Sequence, residues 1–289
     1  VLFSELSGSF GEFNLISREI SYLFEKKYLS GIINLKGRLN PSINLNKIIP
    51  KKLSINFENF ENISGQFEID ANLKVSLNKD YSIKKDETTF NLITKNLKFN
   101  YIKFEKLVLS NINSSINFNN YGKIFSKGEF EINNKKNIFE ISRLNNKRPL
   151  KIKTSGIINI QEIFSEKIDF PLKNNIRYSS ETLLNDIKNF NTKLKFDLTN
   201  SKVDLPVFNY IKKKNDKSNF ELSFDKNNNF IKLSKINFVS NNNKINIHYL
   251  LFDRKFSLKD FGSVNINLGE KNKLKIFKKN NIYNIVGSS

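Results

Sequence analysis

The side chains best suited to chemistry are few in this sequence and stand far apart. His248 is the single histidine and there is no cysteine. That leaves no thiolate nucleophile, disulfide or multi-histidine metal site, and any histidine-based triad would depend on one residue. His248 falls on the polar phase of "KINIHYLLF", where a strand histidine faces solvent. Asp70, Asp225, Asp253 and Asp260 lie near expected turns, where an Asp side chain shapes the backbone, and no two are marked as an acid/base pair. "GSFGEF" (Gly8, Gly11) lacks the spacing of a dinucleotide loop, and neither GxxxxGK[ST] nor GxSxG occurs. The expectation is a protein with no catalytic residues, no metal site and no cofactor.

Charge points elsewhere at first. The 289 residues carry a formal charge of +20, a value that suits nucleic acid or an anionic membrane. However, Lys, Asn, Ile, Phe and Tyr, all with AT-rich codons, saturate the chain, while Ala71 is the only alanine and Trp is absent. Codon bias alone enriches surface Lys and Asn. Lys and Phe alternate in "NLKFNYIKF", which on a strand sends them to opposite faces, whereas a base-stacking platform needs both on one face. The clusters "IKKKNDK" (Ile211 to Lys217) and "IFKKNN" read as solvated turns. Nucleic acid is not the expected partner.

The elements that would position any function are strands. Period-2 alternation runs through "LSINF" (Leu53, Ile55, Phe57), "GQFEIDANLKVSL" (Phe67, Ile69, Leu73, Val75, Leu77), "GEFEI" (Phe130, Ile132), "TKLKFDL", "NFELSF", "KINI" and "SVNINL", at the spacing of an antiparallel meander. Asn runs (Asn227 to Asn229, Asn241 to Asn243, Asn280 and Asn281) supply turns, since Asn tolerates left-handed backbone and bonds its own main chain. The step of three from Leu233 to Ile236 predicts a bulge or a tight turn at Ser234 and Lys235. Three segments carry helical spacing. "REISYLFEKKYLSG" sets Ile20, Leu23, Phe24 and Tyr28 on one face before Gly31. "INIQEIFSEKIDFP" places Ile160, Ile163 and Phe164 ahead of Pro171, and "SSETLLNDIKNF" places Leu183, Leu184, Ile187 and Phe190. The expected fold is therefore all-β: a long curled antiparallel sheet with a few short amphipathic helices. Its segments are 1–157, a helical insertion at 158–190, and 191–289 continuous with the first. Residue 1 is Val and no Met occurs, so the expectation is a piece of a longer chain. No apolar run reaches the ~18–20 residues that span a bilayer.

About twenty strands at ~4.8 Å spacing make a sheet on the order of 90–100 Å across when unrolled, with one face lined by Phe, Leu and Ile. Soluble proteins rarely leave such a face bare, so it must pack on a second sheet, close on itself, or curl around apolar ligand. The alternation alone leaves these three open.

The last third carries a cadence. Asp197, Leu198 and Thr199 end one strand, Val203, Leu205 and Pro206 form the next, Lys214 and Lys217 link onward, and Ile231, Leu233, Ile236 and Phe238 follow. With the tail Val286, Gly287, Ser288 and Ser289, this resembles the repeating β region of AsmA-like proteins, in particular their long YhdP- and TamB-type members of Gram-negative bacteria. The likeness covers residues 155–289, and the shortage of Gly and Ala departs from it. The resemblance implies a periplasmic β-groove anchored in the inner membrane by a segment outside this chain. It also implies phospholipid partners, whose acyl chains lie in the groove as lipid moves between inner and outer membranes. The residues assigned to the groove are Phe196, Leu198, Phe220, Leu222, Phe224, Ile231, Leu233, Ile236, Phe238, Ile245, Ile247, Val264 and Ile266. The alternative is a structural or adhesive β-sandwich whose apolar faces satisfy each other.

Overall fold

The computed structural model describes residues 2–10, 12–40, 60–101, 108–163, 172–173, 175–186, 188–269, 272–279 and 282–288. Almost all of them lie in antiparallel strands, which fall into two compact units, Val1–Arg148 and Pro149–Ser289. The division precedes the boundary expected at 157. The strand read at Leu53, Ile55 and Phe57 and the turn at Asn280 and Asn281 lie outside the described residues.

The first unit holds β1 (Leu2–Phe10), β2 (Phe13–Leu23), β3 (Tyr28–Leu39), β4 (Phe60–Leu77), β5 (Ile83–Asp86), β6 (Thr89–Tyr101), β7 (Val108–Asn119), β8 (Ile124–Ile132) and β9 (Lys135–Arg143). Each pairs with the next, except that β4 takes both β5 and β6. The second unit begins with β10 (Leu150–Asn159), β11 (Leu172–Lys173), β12 (Asn175–Asp186), β13 (Asn189–Asp197), β14 (Lys202–Leu205) and β15 (Tyr210–Lys212). It continues with β16 (Ser218–Lys226), β17 (Phe230–Ser240), β18 (Asn243–Asp253), β19 (Leu258–Phe261), β20 (Val264–Leu268), β21 (Asn272–Lys279) and β22 (Ile282–Ser288). Within this unit β10, β12, β13 and β16 to β22 form the main sheet, and β11, β14 and β15 form a small one. Among the described residues β1 pairs only with β2, and β22 only with β21. Neither meander closes into a barrel.

Asparagine makes the turns and bends that glycine makes elsewhere. Asn133 and Asn134 both take positive φ (47° and 63°) between β8 and β9, the geometry that matches a two-residue hairpin to the twist of its strands. Asn227 accepts from the backbone N–H of Asn229 and Phe230 at 2.8 and 2.9 Å, so its side chain builds the β16–β17 turn. Asn62, Asn96 and Asn111 lie inside β4, β6 and β7, again at positive φ, where the pairing slips register. These bulges bend the strands and raise their twist. The predicted bulge in β17 is present. Lys235 has φ 52° and the β16–β17 register shifts there, which keeps Leu233 and Ile236 on one face.

Two of the three helical expectations fail, and each failure has a local cause. Residues 18–31 form the end of β2, a turn and the start of β3. Ile20 and Leu23 stand on opposite faces of β2, Phe24 lies in the turn and Tyr28 in β3 opposite Leu23, so residues with helical spacing are spread over a hairpin. Gly31 caps no helix. It lies in β3, opposite Ile20, where a Cβ would stand 2.5 Å from the Glu19 carbonyl oxygen. Residues 179–190 are the β12–β13 hairpin, in which Leu184 and Phe190 are cross-strand partners and Asp186 accepts from the N–H of Lys188 and Asn189. Ile187 lies outside the described residues. Only Ile160–Ile163 is helical, for a single turn, and Phe164 to Pro171 are not described. Isolated helices this short lack the cooperative length to persist, and pairing with a neighbouring strand wins. Gly31→Val is expected to lower the stability of the first unit by about 1–3 kcal/mol, read from the midpoint of chemical denaturation.

Candidate functional site: an apolar sheet face

Cross-strand partners in an antiparallel sheet share a face, so the register builds the site directly. In the first unit one row runs Leu15, Leu35, Ile69, Leu92 and Ile116 across β2, β3, β4, β6 and β7. The adjacent row is Ile33, Ala71, Phe90, Phe118 and Ile124, with the Phe90 and Phe118 rings stacked at 4.8 Å. On the other side, Phe13 and Phe67 close over Gly37, their rings 5.5 Å apart. A Cβ at Gly37 would run into both rings. Farther along this third row Thr94 and Ser114 bond each other at 2.8 Å, which satisfies their hydroxyls without water.

The opposite face is ionic. Lys36 meets Glu68 at 2.8 Å, and Asn34 donates to Glu68 and Asp70 at 3.0 and 2.6 Å. The Lys36 ammonium and the Asn34 amide hold the Glu68 carboxyl below its ordinary range. In the second unit Lys195 pairs with Glu221 and Lys151 with Glu181, both at 3.0 Å.

The second unit repeats the apolar face. One row runs Tyr178, Phe196, Phe220, Phe238, Ile245, Ile266 and Leu274. Leu194 and Leu222 share the next row, as do Ile247 and Val264, and Phe224 is paired with Leu233, Ile231 with Phe252. All thirteen residues assigned to the groove therefore lie on one face, with Leu198 continuing the phase of Phe196.

The two units differ in what covers that face. Among the described residues, nine of the ten buried apolar side chains belong to the second unit, and the first contributes only Ala71. In the second unit Leu198, Phe238, Val264 and Ile266 are buried in one cluster with Ile176, Val203 and Leu268, against which Leu205, Phe208 and Tyr210 pack. The small sheet and the 3-10 turn Pro206–Phe208 thus fold back on the main sheet. Tyr210 sets its ring edge-on to Phe238, and Asn272 donates to the Phe208 carbonyl at 2.7 Å. Leu194, Leu222 and Phe224 of the same face stay half-buried.

Lys212 locks this covering segment, and the reading of its cluster as a solvated turn is wrong at that residue. It is 1% exposed, and its ammonium donates to the carbonyls of Leu198, Thr199 and Ser201 at 2.5, 2.8 and 2.7 Å. Burial pushes its pKa down, and the Asp216 and Asp197 carboxylates push it up. The cadence residues act around it: the Asp197 carboxylate accepts from the Thr199 N–H at 3.0 Å, while Lys214 and Lys217 stand outside the buried cluster.

The four acids separate by role. Asp253 shapes its turn, accepting from the N–H of Lys255 and Ser257 at 2.8 and 3.0 Å. Asp70 and Asp225 instead sit within strands and accept from cross-strand Asn34 and Asn191 amides. Asp260 takes the hydroxyls of Tyr249 and Tyr283 at 2.9 and 2.7 Å, tying edge strand β22 to β18 and β19. Those hydrogen bonds lower the Asp260 pKa and raise both tyrosines. His248 sets its ring edge-on to Tyr249 and stands on the phase opposite Ile247 in β18. Among the described residues no group of three His, Cys, Asp or Glu could hold a metal ion. No helix among them is long and apolar enough to cross a membrane.

No protein-family model, curated protein or solved structure matches the chain, so the functional argument rests on these faces. Two outcomes follow from the locks described here. Lys212→Met, which keeps the length and removes the donor, is expected to destabilise the second unit by about 2–4 kcal/mol, read by thermal or chemical melts. The Asp260 tether has a folded-state pKa below the ordinary 3.8, so its contribution is present above that value and lost as pH falls through the folded one. On acidification the protection of the β22 amides, taken relative to the intrinsic exchange rate at each pH, should fall first. Asp260→Asn should abolish that pH step and bring the titration of Tyr249 and Tyr283 back toward pH ~10.

Proposed function

We propose that the chain binds lipid acyl chains on the apolar face of its sheets and passes phospholipid along it, as the periplasmic part of an AsmA-like protein anchored in the inner membrane. The observation that carries this reading is the first unit's face: row after row of Leu, Ile and Phe in which, among the described residues, Ala71 is the one apolar side chain buried outright, the other side chains buried on that face being the polar Ser17, Thr94, Ser126 and Asn137. Burying a Leu, Ile or Phe fully is worth about 1.5–3 kcal/mol, so each partly exposed position leaves roughly a few tenths of a kcal/mol to 1 kcal/mol for a ligand to supply. An acyl chain supplies it at ~0.8 kcal/mol per buried CH₂. Rows of similar apolar residues offer no polar well at which a lipid would stop, which suits sliding better than specific capture.

A structural β protein is the second reading, favoured by the second unit's use of residues 198–212 to cover its own face. That covering also decides where to test. Ile245 packs against the buried cluster, so a charge there would unfold the sheet as readily as block a ligand. Leu92 and Ile116 are direct partners on the uncovered face of the first unit. Purified chain is expected to carry more than one phospholipid by native mass spectrometry. Leu92→Glu with Ile116→Glu should keep the β-sheet circular dichroism, lose most of that lipid and slow vesicle-to-vesicle transfer at least about tenfold, since a buried carboxylate lacks a partner there. A folded double variant with unchanged lipid and transfer sinks the assignment. A lipid-free, stable wild-type monomer makes the structural reading the better one.

A further inference from the structure

At one end of the first unit's strands the turns form a rim unlike either sheet face. Residues 24–27 join β2 to β3, residues 78–88 surround β5, residues 120–123 join β7 to β8, and residues 144–148 follow β9. Hydrogen bonds stitch these turns together. Leu77 N–H donates to the Lys27 carbonyl at 2.8 Å, and the Lys27 ammonium donates to the Lys79 carbonyl at 3.0 Å while standing 4.9 Å over the Tyr81 ring. The Asn120 amide donates to Asp86. Asn146 N–H donates to the Tyr121 carbonyl at 3.2 Å, and Arg143 Nε to the Gly122 carbonyl at 2.8 Å. Gly122 has φ 79°, and the Asn146 side chain occupies the place of its missing Cβ. The turns are thereby held as one edge.

On that edge the large apolar side chains face solvent: Phe24 58%, Tyr81 61%, Ile83 64%, Tyr121 51% and Leu144 75% exposed. Residues 24–27, 78–87, 119–123 and 143–148 also hold nine Lys and Arg against four Asp and Glu. Lys26, Lys79, Lys84, Lys123, Lys147 and Arg148 are in no ion pair among the described residues. On this rim apolar and cationic side chains stand side by side. Exposed rings and aliphatics among lysines match the headgroup layer of a bilayer, where the apolar parts enter the acyl boundary and the ammonium groups stay at the phosphates. Nucleic acid fits less well. Ile83 and Leu144 have no π-face for a base, and the Tyr81 ring already carries Lys27.

We propose that this rim docks the first unit on an anionic lipid bilayer, with Phe24, Tyr81, Ile83 and Leu144 inserted at the headgroup–acyl boundary and Lys26, Lys79, Lys84 and Lys147 on the phosphates. The proposal is independent of lipid lying on the apolar face, because none of these residues lies in the rows described above.

The test is co-sedimentation of the 289-residue chain with phosphatidylcholine vesicles that contain either no anionic lipid or about one-third phosphatidylglycerol. Binding is expected only to the anionic vesicles, and it should be lost between about 0.1 M and about 1 M salt as the screening length falls from about 10 Å to about 3 Å. Lys79→Glu, Lys84→Glu and Lys147→Glu together should lower the partition coefficient by roughly fivefold or more per site. Tyr81→Ser, Ile83→Ser and Leu144→Ser together should lower it at least about tenfold. Both variants should keep the wild-type content of co-purified lipid, which separates this test from that of the apolar face. Because the chain has no Trp, Tyr81→Trp places one indole on the rim. Its emission should shift to the blue on anionic vesicles and be quenched by brominated acyl chains, a readout that needs no disruptive variant. Equal binding to neutral vesicles, an unshifted indole, full binding by the serine variant, or displacement from vesicles by a single-stranded polynucleotide would each overturn the proposal.

Discussion

The structure depends on one constraint: an amphipathic sheet has a face that water does not favour, and something must lie against it. The two units meet it differently. In the second, residues 198–212 turn back and place Val203, Leu205, Phe208 and Tyr210 over Phe238 and Ile266. In the first, no described segment performs that role, and Ala71 is the only described apolar side chain removed from water. A sheet in this state gains stability from whatever apolar material occupies the face, so folding and ligand occupancy are coupled through mass action. The functional reading thus grows out of a stability argument.

Covering a sheet with its own chain creates a second problem, since a turn that crosses an apolar face must satisfy its carbonyls there. Lys212 solves it by aiming one ammonium at three carbonyls, those of Leu198, Thr199 and Ser201. An amide or hydroxyl cannot present three donors to converging acceptors, whereas an ammonium can. Its flexible stem crosses apolar surface on the way. The net cost of burying that charge is limited by those hydrogen bonds and by the Asp216 and Asp197 carboxylates nearby.

Strand content, antiparallel order and the shared face of the thirteen apolar residues were legible because period-2 alternation reports which side a residue faces, whatever lies on that side. The bulge at Lys235 was legible from the step of three between Leu233 and Ile236. The same kind of step occurs from Thr94 to Leu97 and from Leu109 to Ile112, where Asn96 and Asn111 take left-handed backbone. In the segment at 18–31 a hairpin imitates helical periodicity, with Ile20 and Leu23 on opposite faces of β2, Phe24 in the turn and Tyr28 in β3. A single bulge and a single helical turn leave the same three-residue step in a sequence, and only the long-range partner of the strand separates them. Lys212 was illegible for a related reason: a run of lysines carries no sign of which one points inward. That is decided by the carbonyls of residues eleven to fourteen positions earlier.

Codon bias accounts for the abundance of lysine and asparagine but not for where they stand. Within each unit the register sends Lys36, or Lys151 and Lys195, to the polar face, where each meets a carboxylate, and sends Leu35, or Leu194 and Phe196, to the apolar one, although Lys151 also stands opposite exposed Leu183 and Lys127 over exposed Phe125. On the hydrogen-bonded edge of turns in the first unit Lys79 and Lys84 stand beside exposed Tyr81 and Ile83. A turn has no alternation to enforce segregation, yet a turn in water favours small polar residues. Large apolar side chains there cost solubility and return little packing: Phe24 meets Tyr22 edge-on at 4.7 Å and Tyr81 takes the Lys27 ammonium, yet both stay more than half exposed. Exposed apolar side chains gathered among lysines along one hydrogen-bonded edge are an arrangement that an environment apolar on one side and anionic at its surface would stabilise.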